Sequence, residues 1–456
     1  MTSVTLGHRE LRPTSLTAHK REIHALPTEN STAAEFGLSA RARRAHAQPI
    51  SYLMAQAVAN PTLISLAAGL VDYQTLPGPE TLAILTQLLG RERTAQIALQ
   101  YGTTEGLATL RQTLLEHIAA LDGVEPDDYH ATVDDIVITT GSQQLLFILT
   151  DVLVEPGDIV ITEWPSYFVY TSLLELFGAQ VRCVEMDENG LIPAKLDALL
   201  GEIAQAGLLP RVKIVYTCDY HQNPTGITLS AERRPQVLDV VRKYSIDHRI
   251  LLLEDAAYRE LTYRGQAPPS IKSYDTGNEF VALAQTFSKP FAPGLRTGYG
   301  LLPRDLMPAV VAQKGSHDFG CANLAQHLLL EAMRQGLYAA HVQKLCETYA
   351  IKCDAMQRAL EAHLGSFEPA QTRWTHPWGG LYVYLTLPPR ITTGPGGVLL
   401  ARAIEEGVLY VPGEYCYAPD PQRTIPLSTM RLTFGTATVE QIHEGIARLG
   451  RAIRAV

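Results

Sequence analysis

The chain has 456 residues, 46% hydrophobic and 19% charged, a globular composition long enough for more than one domain. Its net charge of −9 argues against nucleic-acid binding through a basic surface, and the short cluster Arg41, Arg43 and Arg44 does not reverse that. Six scattered cysteines without a C-x-x-C pair, and 14 histidines without a ligand-like spacing, point to reduced thiols rather than a disulfide frame or a metal site.

Residues 1–35 are polar, contain Pro13 and Pro27 and show no sustained period, so a mobile or partner-dependent extension is expected there. The N-terminus lacks the apolar stretch of a secretion signal. No apolar run approaches the roughly 18–20 residues of a membrane span. Both observations lead us to expect a cytoplasmic protein. Leu38 to Ala59 has helix-like spacing. SLAAGLVDYQTLPGPE (65–80) is a Gly/Pro-rich loop, either a cover over a site or a plain connection, with Gly69 and Gly78 in it. YGTTEGLATLRQTLLEHIA (101–119) predicts a turn and then an amphipathic helix with Leu107, Leu110, Leu114 and Ile118 on one face. Thr103 or Thr104 is its expected cap, and Tyr101 has no role that pattern alone assigns.

From about residue 134 to 302 short β-rich runs recur: Ile136–Thr140, Ile159–Thr162, Gln180–Val184, Lys213–Thr217, Ile250–Leu253, Phe280–Thr286 and Gly298–Leu302. Helix-length segments such as Gln143–Leu153 and Ala231–Lys243 separate most of them. Runs apolar on both faces and alternating with helices predict a mainly parallel α/β sheet, in which ligands sit at the carboxyl ends of strands.

Residues suited to chemistry fall at those ends. Gly141-Ser142-Gln143-Gln144 opens a helix, where Ser142 is either part of an anion site or an N-cap. Tyr167, after Glu163-Trp164-Pro165-Ser166, either stacks on a planar ring or belongs to the core. In DYHQNPTGITLS (219–230), Asn-Pro-Thr-Gly is a turn signal in its own right, and Asn223 also offers an amide to a phenolic oxygen and a carboxylate. Asp255 ends an apolar run and is either an ordinary strand-end acid, solvated or paired with an arginine, or the partner of a protonated pyridine nitrogen; Tyr258 lies close by. Last comes TFSKPFAPGLRTGYG (286–300). Its Lys289 is a solvated loop lysine or, if desolvated, an amine nucleophile toward aldehydes. Thr286, Ser288 and Arg296 around it suit a phosphate ester. An aldehyde carrying a phosphate describes pyridoxal 5′-phosphate (PLP), and one cofactor of that kind uses every part in this series.

These stretches, with SARARRAHAQPISYLMAQA (39–57), LAAGL (66–70), EWPSY (163–167), EDAAYRELTY (254–263), GGLYVYLTLP (379–388), VLYVPGEYC (408–416) and MRLTFG (430–435), resemble the class I/II aminotransferases among the fold type I PLP enzymes. Within them the likeness is to the 2-aminoadipate/kynurenine aminotransferase branch, shared with the aminotransferase-like halves of MocR regulators. It runs from about residue 38 to the C-terminus. The resemblance implies that Lys289 forms the Schiff base and shuttles the proton, and that Asp255 holds the pyridine nitrogen protonated. It implies that Asn223 and Tyr258 bond the ring's phenolic oxygen and that Tyr167 stacks on the ring. Ser142, Gln143, Thr286, Ser288 and Arg296 would grip the phosphate, with Tyr101 reaching across from the other subunit of a homodimer. Arg431, helped by Asn223, would clamp the substrate α-carboxylate, with Gly69 nearby.

The implied fold is α/β: a large PLP-binding domain (61–324) around a mainly parallel sheet, and a small domain from 36–60 and 325–456. Leu381–Leu385, Val408–Val411 and Met430–Thr433 are its expected strands. The implied activity is transfer of an amino group from an L-amino acid to a 2-oxo acid, 2-oxoglutarate being the expected acceptor, by a ping-pong mechanism. The rivals are another PLP reaction on the same fold (decarboxylation, elimination or oxidation) and a non-catalytic PLP-binding sensor. A plain α/β oxidoreductase is set aside, because no expected strand is followed by G-x-G-x-x-G. Residues 1–35 carry no legible helix-turn-helix, which argues against a MocR-type regulator. His221 stands where the family commonly has an aromatic residue, Cys218-Asp219-Tyr220 is unfamiliar, and Pro290 directly follows the lysine.

Overall fold

The computed structural model describes residues 36–45, 60 and 62–456. The extension 1–35 lies outside the described residues, as does most of the helix expected over Leu38 to Ala59, of which Ala40–Arg44 is seen. Contacts divide the chain into two units, Met1–Arg43 and Arg44–Val456. In the first, the Ser39 hydroxyl accepts from Ala42 N at 3.1 Å and opens the short helix.

In the second unit a two-residue strand, β1 (Ile64–Ser65), precedes the main sheet. That sheet is built, among the described residues, from β2 (Ile136–Thr139), β3 (Ile159–Trp164), β4 (Gln180–Asp187), β5 (Gly190–Leu191), β6 (Val212–Thr217), β7 (Leu251–Asp255), β8 (Val281–Thr286) and β9 (Gly298–Leu301). Their order in space is β2-β9-β8-β7-β6-β3-β4-β5. Neighbours from β8 to β4 run parallel, β9 runs against both β2 and β8, and β5 runs against β4. The sheet is mixed but mainly parallel. Every residue of β2, β7 and β8 is buried, which explains why these runs are apolar on both faces. Because β2, β3, β6, β7 and β8 point the same way, their carboxyl ends form one edge of the sheet, and Ser142, Tyr167, Asn223, Asp255 and Lys289 all follow that edge.

Near the C-terminus, β10 (Arg373–Trp374), β11 (Tyr382–Thr386), β12 (Val408–Leu409), β13 (Val411–Pro412) and β14 (Thr429–Thr433) follow. Four of them form an antiparallel sheet in the order β10-β11-β14-β13, while β12 pairs in parallel with β1. The single strand expected over Val408–Val411 is thus two, because the chain changes partners at Tyr410, whose hydroxyl donates to Thr393 O at 2.6 Å. The last helix, Val439–Arg454, opens with a capping box between Thr438 and Gln441 and packs on the long helix Leu337–Leu364.

The helix expected after Tyr101 begins at Ala108 with Leu107 at its N-cap and no side-chain cap. Leu110, Leu114 and Ile118 are buried on one face as expected. Neither Thr103 nor Thr104 caps it, because Gly106 takes a φ of 101° and the chain turns before the helix starts. The Thr103 hydroxyl instead donates to Gly106 O at 3.0 Å, and that of Thr104 to Phe319 O at 2.9 Å.

Candidate active site

A cavity of about 160 Å³ opens at the carboxyl edge of the main sheet. It is lined by Gly141, Ser142, Gln143, Tyr167, Cys218, Asn223, Asp255, Ala257, Tyr258, Thr286, Ser288, Lys289 and Arg296. Ten of the eleven residues expected around the cofactor therefore meet in one place, brought there by the ends of five strands.

One end of the cavity is built for an anion. Helix Ser142–Leu153 starts there with Gly141 at its N-cap and no side chain capping its first amides. Gly141 has a φ of 73°, and a Cβ on it would sit 2.9 Å from Arg296 Nη2, so only glycine lets the guanidinium approach the backbone this closely. Arg296 donates to Ser288 Oγ at 3.3 Å, and the Thr286 hydroxyl donates to the same oxygen at 3.0 Å. Two hydroxyls, a guanidinium and a helix start converge on one point.

At the other end lies Asp255, buried at the tip of β7. The Tyr216 hydroxyl donates to its Oδ2 at 3.0 Å and Ala257 N to its Oδ1 at 3.3 Å. Burial pushes this carboxyl up to about 6, against the pull of those two hydrogen bonds. Between the ends, Lys289 donates from Nζ to Gly69 O at 2.7 Å, and its Nζ lies 5.8 Å from the centre of the Tyr258 ring. Burial holds the lysine below its ordinary pKa, with Arg431 and Arg296 acting in the same direction and Tyr382 against it. A primary amine that deprotonates readily thus lines the same cavity as a carboxylate that has no ion pair among the described residues.

Arg431 projects from β14 and is buried. Its Nη1 donates to Asn223 Oδ1 at 2.8 Å and its Nη2 to Ala67 O at 2.7 Å, while Nε has no hydrogen-bond partner among the described residues. Asn223 thereby links Arg431 to the cavity, and Lys289 links Gly69 to it. Tyr101 is elsewhere in this chain. It is 83% exposed, meets Phe319 edge-on at 5.9 Å, and lines a separate cavity of about 850 Å³ with Ile97, Asn323 and others.

Sequence reasoning noted Cys218 only as unfamiliar, and passed over Tyr216 and the support beneath Asn223. Glu163 is buried; its Oε1 accepts from the Thr217 hydroxyl at 2.6 Å, and its Oε2 from Cys218 N at 3.1 Å and Gln222 Nε2 at 2.5 Å. Burial raises its carboxyl to about 7. The legible signal was an acid directly after an apolar run, the same signal that singled out Asp255. His221 stands outside the cavity. Its Nε2 meets Thr262 Oγ1 at 2.7 Å, its Nδ1 meets Thr228 Oγ1 at 3.0 Å, and burial lowers its imidazole to about 3. A Cβ on Gly379 would overlap the His221 ring, so the glycine makes the space for it. The departure at position 221 is a packing change outside the cavity lining.

The donor set fits pyridoxal phosphate: an anion cradle for the phosphate, a buried carboxylate for a protonated ring nitrogen, and a primary amine for the aldehyde. Among the described residues there is no cluster suited to a metal ion, and no helix is long and apolar enough to cross a membrane.

Comparison with known proteins agrees with this chemistry. The family described as "Aminotransferase class I and II" matches residues 61–449. Over 392 residues the chain is 34% identical to aromatic-amino-acid aminotransferase 1 of Thermococcus litoralis, covering 86% of this chain and 88% of that protein. It superposes on the kynurenine aminotransferase of Pyrococcus horikoshii, solved with PMP, with a TM-score of 0.82, 32% identity, and coverage of 92% of this chain and 97% of that one. Superposition on the alpha-aminoadipate aminotransferase of Thermus thermophilus, complexed with N-(5'-phosphopyridoxyl)-L-leucine, gives a TM-score of 0.76, 30% identity, and coverage of 92% and 97%.

Proposed function

Because the chain belongs to the class I and II aminotransferases, PLP enzymes of fold type I, we propose that it moves the amino group of an L-amino acid to a 2-oxo acid, 2-oxoglutarate being the expected acceptor, in a ping-pong cycle centred on Lys289. The observation that carries this reading is the meeting of Lys289, Asp255 and the Ser288–Arg296 cradle in one cavity, with Arg431 joined to it through Asn223.

When bound, the cofactor supplies an aldehyde that condenses with amines and a ring that draws electrons from the substrate Cα. Ser142, Gln143, Thr286, Ser288 and Arg296 hold its phosphate. Asp255 would hold the ring nitrogen protonated, and that ion pair would relieve a carboxylate otherwise buried without a cation among the described residues. Asn223 and Tyr258 bond the phenolic oxygen, and Tyr167 lies against the ring. Lys289, its amine held below its ordinary pKa by burial, takes the proton from the donor's Cα. Arg431 binds the donor's α-carboxylate, and its unpartnered Nε supports that role.

Tyr101, Leu99 and Phe319 form an exposed apolar patch at 83%, 66% and 63%. We assign that patch to a second copy of the chain, with Tyr101 reaching the partner's phosphate. Sedimentation velocity is expected to return twice the chain mass, and a monomer at micromolar concentration would oppose the assignment.

Borohydride reduction of the loaded protein followed by peptide mapping tests the reading. A pyridoxyl group on Lys289 is expected; a label spread over surface lysines, with Lys289 bare, would overturn it.

A further inference from the structure

Tyr382 lies on β11, in a stretch that sequence reasoning treated as plain strand. The register pairs Tyr382 with Thr433 and Tyr384 with Arg431, so Tyr382 and Arg431 are diagonal neighbours on one face of the sheet. The Arg431 guanidinium carbon lies 4.6 Å from the centre of the Tyr382 ring. The Tyr382 hydroxyl is 2.9 Å from the hydroxyl of Tyr258, and the two rings meet edge-on at 5.5 Å. A Cβ on Gly69 would stand 2.5 Å from the Tyr382 hydroxyl, and Gly69 O is the acceptor for Lys289 Nζ. One buried side chain therefore touches the residues beside the amine, the phenol and the carboxylate clamp.

The hydroxyl matters more than the ring for direction. Each phenol has one proton, and the Tyr258–Tyr382 bond uses one of the two. If Tyr258 donated to Tyr382, it would have no proton left for a ligand in the cavity that it lines. Tyr382 is buried and does not line that cavity, and among the described residues Tyr258 Oη is its hydroxyl's hydrogen-bond partner. The arrangement that satisfies both groups has Tyr382 donating and Tyr258 aimed into the cavity. A donor that itself accepts a hydrogen bond is also a stronger donor.

We propose that Tyr382 is a positioning residue for the transamination site: its hydroxyl donates to Tyr258 and so commits the Tyr258 proton to the cofactor's phenolic oxygen, while its ring supports Arg431. This rests on the reading that the cavity holds pyridoxal phosphate joined to Lys289. A strong donor at the phenolic oxygen lets the nitrogen that joins Lys289 to the cofactor lose its proton at lower pH.

The test is a pH titration of the visible absorption band of the loaded protein in wild type, Tyr382→Phe, Tyr258→Phe and the double variant. Tyr382→Phe keeps the ring under Arg431, so KM for the best donor is expected to stay within about twofold, while the midpoint of the band rises by roughly half a pH unit or more. The double variant is expected to titrate with Tyr258→Phe alone, because Tyr382 acts through Tyr258. A Tyr382→Phe midpoint equal to wild type, or a shift that adds in full to that of Tyr258→Phe, would overturn the proposal. A rise in KM with an unmoved midpoint would reduce Tyr382 to packing and overturn it equally. If wild type shows no such band, or Lys289→Ala keeps it, the reading of the site itself falls and this proposal with it.

Discussion

Glu254 and Asp255 are consecutive residues of β7, both buried, and they face opposite ways into two very different surroundings. Glu254 accepts from Ile271 N at 2.8 Å and Lys272 N at 2.9 Å, and pairs with Arg234 at 3.4 Å. Around it is a closed charge network: Arg234 also pairs with Asp219, Arg259 pairs with Asp122, and both guanidinium groups lie over the ring of Tyr220, at 4.1 and 5.3 Å. Asp255 has a phenol, one long amide contact and, among the described residues, no ion pair. Charge that holds the fold is answered within the chain. Charge kept for a ligand is left with too few partners; burial raises the carboxyls of Asp255, Glu254 and Asp219 alike, so the contrast rests on their partners.

That contrast can be broken experimentally. Lys289→Ala should have the largest effect, lowering kcat by about 10³-fold or more with little change in melting temperature, because it removes the base from the open side. Asp255→Asn is expected to lower kcat by about 10²–10⁴-fold and still fold. Arg234→Met is its counterpart on the closed side. It should destabilise the protein by about 3–5 kcal/mol in a denaturant titration, because it leaves Asp219 and Glu254 buried without their cation. If Asp255→Asn unfolds the protein while Arg234→Met is harmless, the contrast is wrong.

The pH dependence sharpens it. The Asp255 carboxyl is raised to about 6 from 3.8, so in the apoprotein it weakens folding progressively as pH rises through that interval and has no effect below it. The gap is worth about 3 kcal/mol at neutral pH. Apo Asp255→Asn should therefore be more stable than apo wild type at pH 7, with the difference fading toward pH 4. Thermal melts across that range check it, and bound cofactor should narrow the gap by giving the carboxylate a cation. The smallest effect is expected at His221. Changing it to Phe strips partners from Thr228 and Thr262 and should destabilise by about 1–3 kcal/mol, with kcat within a few-fold of wild type.

The open side was the legible one. Lys289, Asp255 and Asn223 each follow an apolar run, and a polar group at a strand end is visible without a structure. The residues that support them were not. Tyr216 and Tyr382 read as ordinary strand aromatics, and only strand register puts one against Asp255 and the other under Arg431. The closed network was equally hidden, because Asp122, Arg234 and Arg259 are brought together from three distant segments. Local rules failed where tertiary contacts intervened. Gly106 turns the chain after the two threonines expected as caps, and Tyr410 divides the strand expected over Val408–Val411. Tyr101 shows the limit of a single chain, since its proposed place is in a partner's site.

The most direct measurement is the absorbance of the loaded protein during titration with a panel of L-amino acids and no 2-oxo acid. The account predicts that at least one donor removes the visible band and releases one equivalent of its 2-oxo acid per site, and that 2-oxoglutarate then restores the band. A band that no amino acid removes, or removal accompanied by carbon dioxide or ammonia in place of the 2-oxo acid, would contradict transamination at Lys289.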